Sequence, residues 1–130
     1  MARAHAEIGL EDYRVAIRAG SHELVADEGP ALGGKDAGPA PYDLLLSSLA
    51  ACTLITLRMY AERKGWPLEG VKLDLHYRVE EGRAQIDRKV TLLGDLDAAQ
   101  KARFAEIAEK TPVTLTLKDG VPIHTEFREA

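Results

Sequence analysis

From Tyr42 to Lys64 the chain reads as one helix, and between Leu44 and Leu57 that helix is apolar on most of its circumference. Pro41 suits its first turn, where a missing N–H costs nothing. Gly65 caps its end and Pro67 stops it. At about 1.5 Å per residue it spans ~35 Å, the width of a small domain. A helix apolar all round has to be covered all round. One small sheet covers one side, and a two-fold partner covers the other with less chain than a fold-back needs. The expectation is therefore a homodimer with this helix near the interface.

The 130 residues fit one domain spanning 1–130, with 45% hydrophobic residues and enough length to form a core without disulfide or metal staples. The stretch Leu44–Leu57, interrupted by Ser47, Ser48, Thr53 and Thr56, reads as too short to cross a bilayer. Met1–Glu7 lacks the apolar run of a secretory signal. One cysteine leaves no intrachain disulfide and fits a reducing compartment. The expected location is cytoplasmic. A net charge of −4, with no run of basic residues, argues against nucleic acid or an anionic membrane as partner.

Ala4–Arg18 reads as extended, with Tyr13, Val15 and Ile17 alternating against Arg14, Ala16 and Arg18. Ala19-Gly20-Ser21 turns the chain into a short strand, Glu23–Ala26, giving a small antiparallel meander. Gly29–Pro41 is too densely punctuated by glycine and proline for regular structure. After the long helix, Val71–Val79 alternates cleanly and pairs through Glu80-Glu81-Gly82-Arg83 with Ala84–Leu93 as a hairpin. Asp95 or Asp97 caps a second helix running to about Lys110, and Thr111 before Pro112 ends it. Val113, Leu115 and Leu117 then alternate with polar residues. Asp119-Gly120 leads to Val121, Ile123 and Phe127. Pattern alone predicts a terminal hairpin, with Val121–Phe127 its firmer strand. The fold class is α+β.

Cys52 is the first candidate for chemistry. Its helical neighbours at three, four and seven residues are Leu45, Ser48, Leu49, Ile55, Thr56 and Met59. A lone cysteine on such a helix is more often a small hydrophobe than a nucleophile. Reactivity needs a thiolate, hence a cation or a hydrogen-bond donor beside the sulfur. The N-terminus of its own helix is about three turns away, too far to help, and Arg58 points elsewhere around the helix. Arg14 and Arg18, on the polar face of an early strand, are the candidate cations. Gly33-Gly34-Lys35 lacks the spacing of a phosphate loop. The four histidines show no ligand spacing, so neither a metal nor a cofactor is expected.

The segment Gly34–Thr53, with Gly38-Pro39-Ala40-Pro41-Tyr42-Asp43-Leu44-Leu45-Leu46 and Ala50-Ala51-Cys52-Thr53 within it, resembles the OsmC/Ohr family of osmotically inducible and organic hydroperoxide resistance proteins. The likeness continues from Leu57 to Leu68, and the order of elements matches over essentially the whole chain. It implies an OsmC-like fold of antiparallel strands around a long central helix, built as an intertwined homodimer. It also implies that Cys52 is a peroxidatic nucleophile oxidised to a sulfenic acid by an organic hydroperoxide. Tyr42, Ser48, Leu49, Met59, Thr111 and Pro112 are then the expected pocket residues. The family's second, resolving cysteine stands before a proline, where this chain has Thr111-Pro112. Asp43 follows Pro41-Tyr42 in place of the family's glutamate, and the thiolate-stabilising arginine stays open between Arg14 and Arg18. The resemblance also implies a short helical turn over Pro112–Leu117, against the strand pattern. The leading expectation is a one-cysteine peroxidase resolved by an external thiol or dithiol. The alternative is a non-catalytic dimer holding a small apolar or thiol-reactive ligand.

Overall fold

The computed structural model describes residues 1–130 and divides the chain into two compact units, Met1–Ser47 and Ser48–Ala130. In the first, β1 (Ala4–Ile8), β2 (Val15–Ala19) and β3 (His22–Ala26) form an antiparallel meander in that order; the extended run expected over Ala4–Arg18 is broken between Ile8 and Val15, where Tyr13 sits in a turn. Its register aligns Ala6, Ile17 and Leu24 across one face and His5, Arg18 and Glu23 across the other. Alternation along each strand makes one face apolar and one polar.

The glycine-rich loop that follows is organised by one carboxylate. Asp27, buried at the end of β3, accepts the N–H groups of Ala37 at 3.0 Å, Glu28 at 2.8 Å, Tyr13 at 3.1 Å and Lys35 at 3.2 Å. A Cβ on Gly34 would stand 1.9 Å from the Glu28 carbonyl oxygen, and one on Gly38 would stand 2.0 Å from that of Val25. These glycines are there because the backbone comes too close for a side chain.

The first long helix, α1 (Pro41–Lys64), starts in the first unit and runs on into the second. Asp43 in its first turn accepts the Ala40 N–H at 3.2 Å, the backward half of a capping box. Leu49, Thr53, Leu57, Tyr60 and Ala61 form one buried stripe at steps of four, four, three and one. In the second unit Leu57, Tyr60 and Ala61 pack with Leu68, Leu96 and Phe104 as the core. Tyr60, Trp66 and Phe104 meet edge to face, with ring centroids 5.5–6.1 Å apart.

The helix is 24 residues long with a mean hydropathy of 1.6 over its most apolar stretch. By length and composition alone it could cross a membrane, so the 14-residue argument from the sequence does not hold. Leu57 and Ala61 lie at the centre of the second unit's cluster, while most of the apolar stretch stays at least partly exposed within the chain.

The hairpin is longer than its alternation predicts: β4 (Leu68–Glu80) pairs with β5 (Arg83–Gly94). Glu81 and Gly82 both take positive φ, 51° and 76°, as a two-residue mirror-image turn requires. Pairing of Val71 with Leu92, Leu73 with Val90, Leu75 with Arg88 and Tyr77 with Ile86 puts those eight residues on one face. The second helix, α2 (Ala98–Ala108), is capped by Asp97 through a full capping box with Gln100.

At the carboxy terminus the hairpin predicted by pattern is overturned, and the helical turn over Pro112–Leu117 that the resemblance implies is present. Pro112–Asp119 is a helix, α3, and residues from Gly120 onward take no regular structure, so the strand Val121–Phe127 is absent. Pro112 occupies the first helical position, and Thr111 and Thr114 are buried on one side of the turn. That tertiary anchoring outweighs the strand preference of the threonines and Val113. With its supposed partner coiled into a helix, the last segment has no ladder to join within the chain.

Candidate functional site

Cys52 is half-buried on α1, one residue before the fully buried Thr53. Its thiol meets the start of another helix: the Val113 N–H, in the first turn of α3, donates to Cys52 Sγ at 3.4 Å. The first N–H groups of a helix have no partner within it. Thr111, the cap residue, makes no side-chain bond to them. The sulfur therefore stands where a capping side chain would, at the positive end of the helix dipole. The Val113 N–H is the kind of hydrogen-bond donor that a reactive cysteine needs beside its sulfur. The sequence argument excluded only α1's own N-terminus; the donor comes from a helix that the strand pattern concealed.

Beneath this contact is a polar cluster inside the second unit. Arg88 on β5 donates through Nη1 to Thr53 Oγ1 and to Thr114 Oγ1, both at 2.9 Å. Its Nη2 donates to the Ala108 carbonyl at 2.8 Å and reaches Glu109 Oε2 at 3.4 Å. Thr53 passes its own proton to the Leu49 carbonyl at 2.7 Å. Thr111 and Thr114 share a hydroxyl hydrogen bond of 2.6 Å. No buried side-chain nitrogen or oxygen is left without a partner, as a stable buried network requires. Glu109 also accepts from Lys118 at 3.1 Å, which ties the end of α2 to the far end of α3.

The expected site residues fall in several places. Thr111 and Pro112 open the helix that meets Cys52, Thr111 buried and Pro112 exposed. Leu49 is buried one turn before Cys52, whereas Ser48 and Met59 on the neighbouring faces of α1 are exposed. Tyr42 is in the first turn of α1, in the first unit, and is exposed. Arg14 and Arg18 also belong to the first unit, exposed beside Glu7 and Glu23 around an open hollow on the polar side of the meander. The guanidinium built into the second unit's cluster is Arg88, which sequence reasoning missed. Its signal was available: Ile86, Arg88, Val90 and Leu92 alternate, so Arg88 takes an inward slot of an otherwise apolar face. No group of side chains has the makings of a metal site.

Residues 33–126 match the family model described as OsmC-like protein. Among solved structures, an OsmC-like protein from Mycoplasma pneumoniae is 20% identical, with a TM-score of 0.78 over 91% of this chain and 87% of that one. An organic hydroperoxide resistance protein OsmC from Legionella pneumophila is 17% identical, with a TM-score of 0.66 over 91% and 89%. One from Elizabethkingia anophelis, with thiocyanate bound, is 17% identical, with a TM-score of 0.63 over 89% and 87%. At these identities the likeness shows the fold: α+β, with antiparallel strands and a long helix. No curated protein matches the chain.

Proposed function

Because this chain belongs to the OsmC-like family, we propose that it reduces organic hydroperoxides through Cys52 and is regenerated by an external thiol. The observation that carries the reading is the Val113 N–H on a half-buried Cys52 sulfur. The thiolate attacks the outer peroxide oxygen, the O–O bond breaks, and the alcohol leaves once its oxygen takes a proton. The sulfur is left as a sulfenic acid. Cys52 is the only cysteine, so an outside thiol condenses with the sulfenate, releasing water and forming a mixed disulfide. A second thiol then frees Cys52 by exchange. The exposed Ile55 and Met59, one and two turns along α1, favour apolar over small polar peroxides. The same reading takes the two units together as one OsmC-like domain, working as a homodimer in the cytoplasm.

The test is peroxide consumption with an external thiol, cumene hydroperoxide against hydrogen peroxide. The parent is expected to prefer the cumene substrate and Cys52→Ser to fall to the uncatalysed rate. Equal rates in parent and variant would end the proposal. A second reading, a dimer that holds an apolar or thiol-reactive ligand without turnover, is favoured by Thr111. The resemblance puts the resolving thiol there, and the hydroxyl present is buried and bonded to Thr114. A co-purified ligand together with an inert Cys52 would select it.

A further inference from the structure

We infer that Arg88 is a positioning residue for Cys52, holding the sulfur and its backbone donor in register by clamping the residue that follows each of them. The inference rests on the reading of Cys52 as the reacting group, and its geometry is specific. The Cys52 sulfur and the Val113 nitrogen are 61 positions apart in sequence and meet at 3.4 Å. Thr53 follows one and Thr114 follows the other, and a single nitrogen, Arg88 Nη1, donates to both hydroxyls at 2.9 Å. The other terminal nitrogen holds the last carbonyl of α2, Ala108, directly before the turn at Glu109–Lys110 that leads into α3.

The clamp is directional. Thr53 is fixed as an acceptor toward Arg88 because its one proton goes to Leu49. Thr114 accepts from Arg88, shares a hydrogen bond with Thr111 and reaches the Ala108 carbonyl at 3.5 Å. Rotating either threonine away breaks at least two bonds rather than one. A guanidinium can serve this arrangement because its donors diverge in a rigid plane; a lysine ammonium has the charge without the fork. The Arg88 side chain is only 13% exposed, so water does not readily replace the lost partners. Arg88 thus joins β5, α1, α2 and α3 at the point where a sub-ångström drift would open the sulfur–amide contact.

The test reads Cys52 without peroxide turnover, so it stays informative even if the peroxidase reading fails. Iodoacetamide alkylation of the purified protein is followed by intact mass across a pH series. Arg88→Gln is expected to slow alkylation near neutral pH about tenfold, as loosening the donor at the sulfur does. Arg88→Lys is expected to behave like Arg88→Gln. A parental profile in Arg88→Lys would assign the effect to charge alone and overturn the positioning role. Arg78→Gln, which removes an exposed ion pair with Asp87 on the same hairpin, should leave the profile unchanged. Should Arg88→Gln not fold, Thr114→Val decides: it keeps shape and charge but removes one anchor. Its alkylation is expected to slow in the same way, and a profile superimposed on the parent's would overturn the inference.

Discussion

Gly34 shows how a single residue can be mistaken for chemistry. Its place in Gly33-Gly34-Lys35 suggests a phosphate cradle and its spacing rejects one, yet the pattern gives no positive reason for it. The reason is contact: a Cβ there would overlap the Glu28 carbonyl. Gly34→Ala is therefore expected to destabilise the protein by about 2 kcal/mol, the scale of forcing an extra carbon into a filled space, read as a lower urea midpoint. Alanine at Gly65, where nothing lies within 4 Å, meets no such overlap and costs only its left-handed backbone. At this scale the sequence discloses types better than neighbours. Cys52 could be singled out from its surroundings on the helix, and the loop from its prolines and glycines. Alternation places Arg88 on an inward face but not its role, because an inward arginine gains its meaning from Thr53 and Thr114, one 35 positions away and the other 26.

Among the elements, the loop after β3 has a pH dependence written into its anchor. The Ala37 N–H, with those of Glu28, Tyr13 and Lys35, holds the Asp27 carboxyl below the ordinary carboxylate range against the opposing push of burial. The sign follows directly. A group with a depressed folded value contributes fully above the unfolded value of about 3.9 and loses that contribution as pH falls through the folded one. The stability gap between the parent and Asp27→Asn is expected to be constant from about pH 8 to 5 and to shrink below about pH 4, measured by urea unfolding at each pH. The elements also show where periodicity fails. The hairpin and α2 follow their patterns by turning one face inward, while the meander keeps its alternation with β1 exposed along its whole length. Residues 112–119 alternate like a strand and coil like a helix: Leu115 and Leu117 remain exposed, while Thr111 and Thr114 do the anchoring. Hydroxyls that reach a distant guanidinium leave no trace in an apolar pattern.

For the whole molecule, the long helix still sets the terms. Its buried stripe is covered within the chain, but Ile55 and Met59 stay 53% and 63% exposed. Together with Leu54, Arg58, Glu62 and Val71 they line an open hollow on the second unit. This is the second side that the sequence required to be covered, and a second copy of the chain is the proposed cover. Ile55→Glu and Met59→Glu together are expected to convert a dimer into a monomer in analytical ultracentrifugation. A dimer undiminished by both charges would remove α1 from the interface. Coverage is a property of the molecule rather than of any residue, which is why a helix apolar on most of its circumference raises the expectation of a cover without saying where it sits.

The donor at the sulfur belongs to the main chain. Every amino acid but proline carries that N–H, so position 113 can change its side chain and still present the same hydrogen to Cys52. A signature written in residue letters will pass over such a site in diverged relatives. The constraint rests instead on the bend of the backbone into α3, and the imino acid at 112 together with the hydroxyls at 111 and 114 are its visible marks.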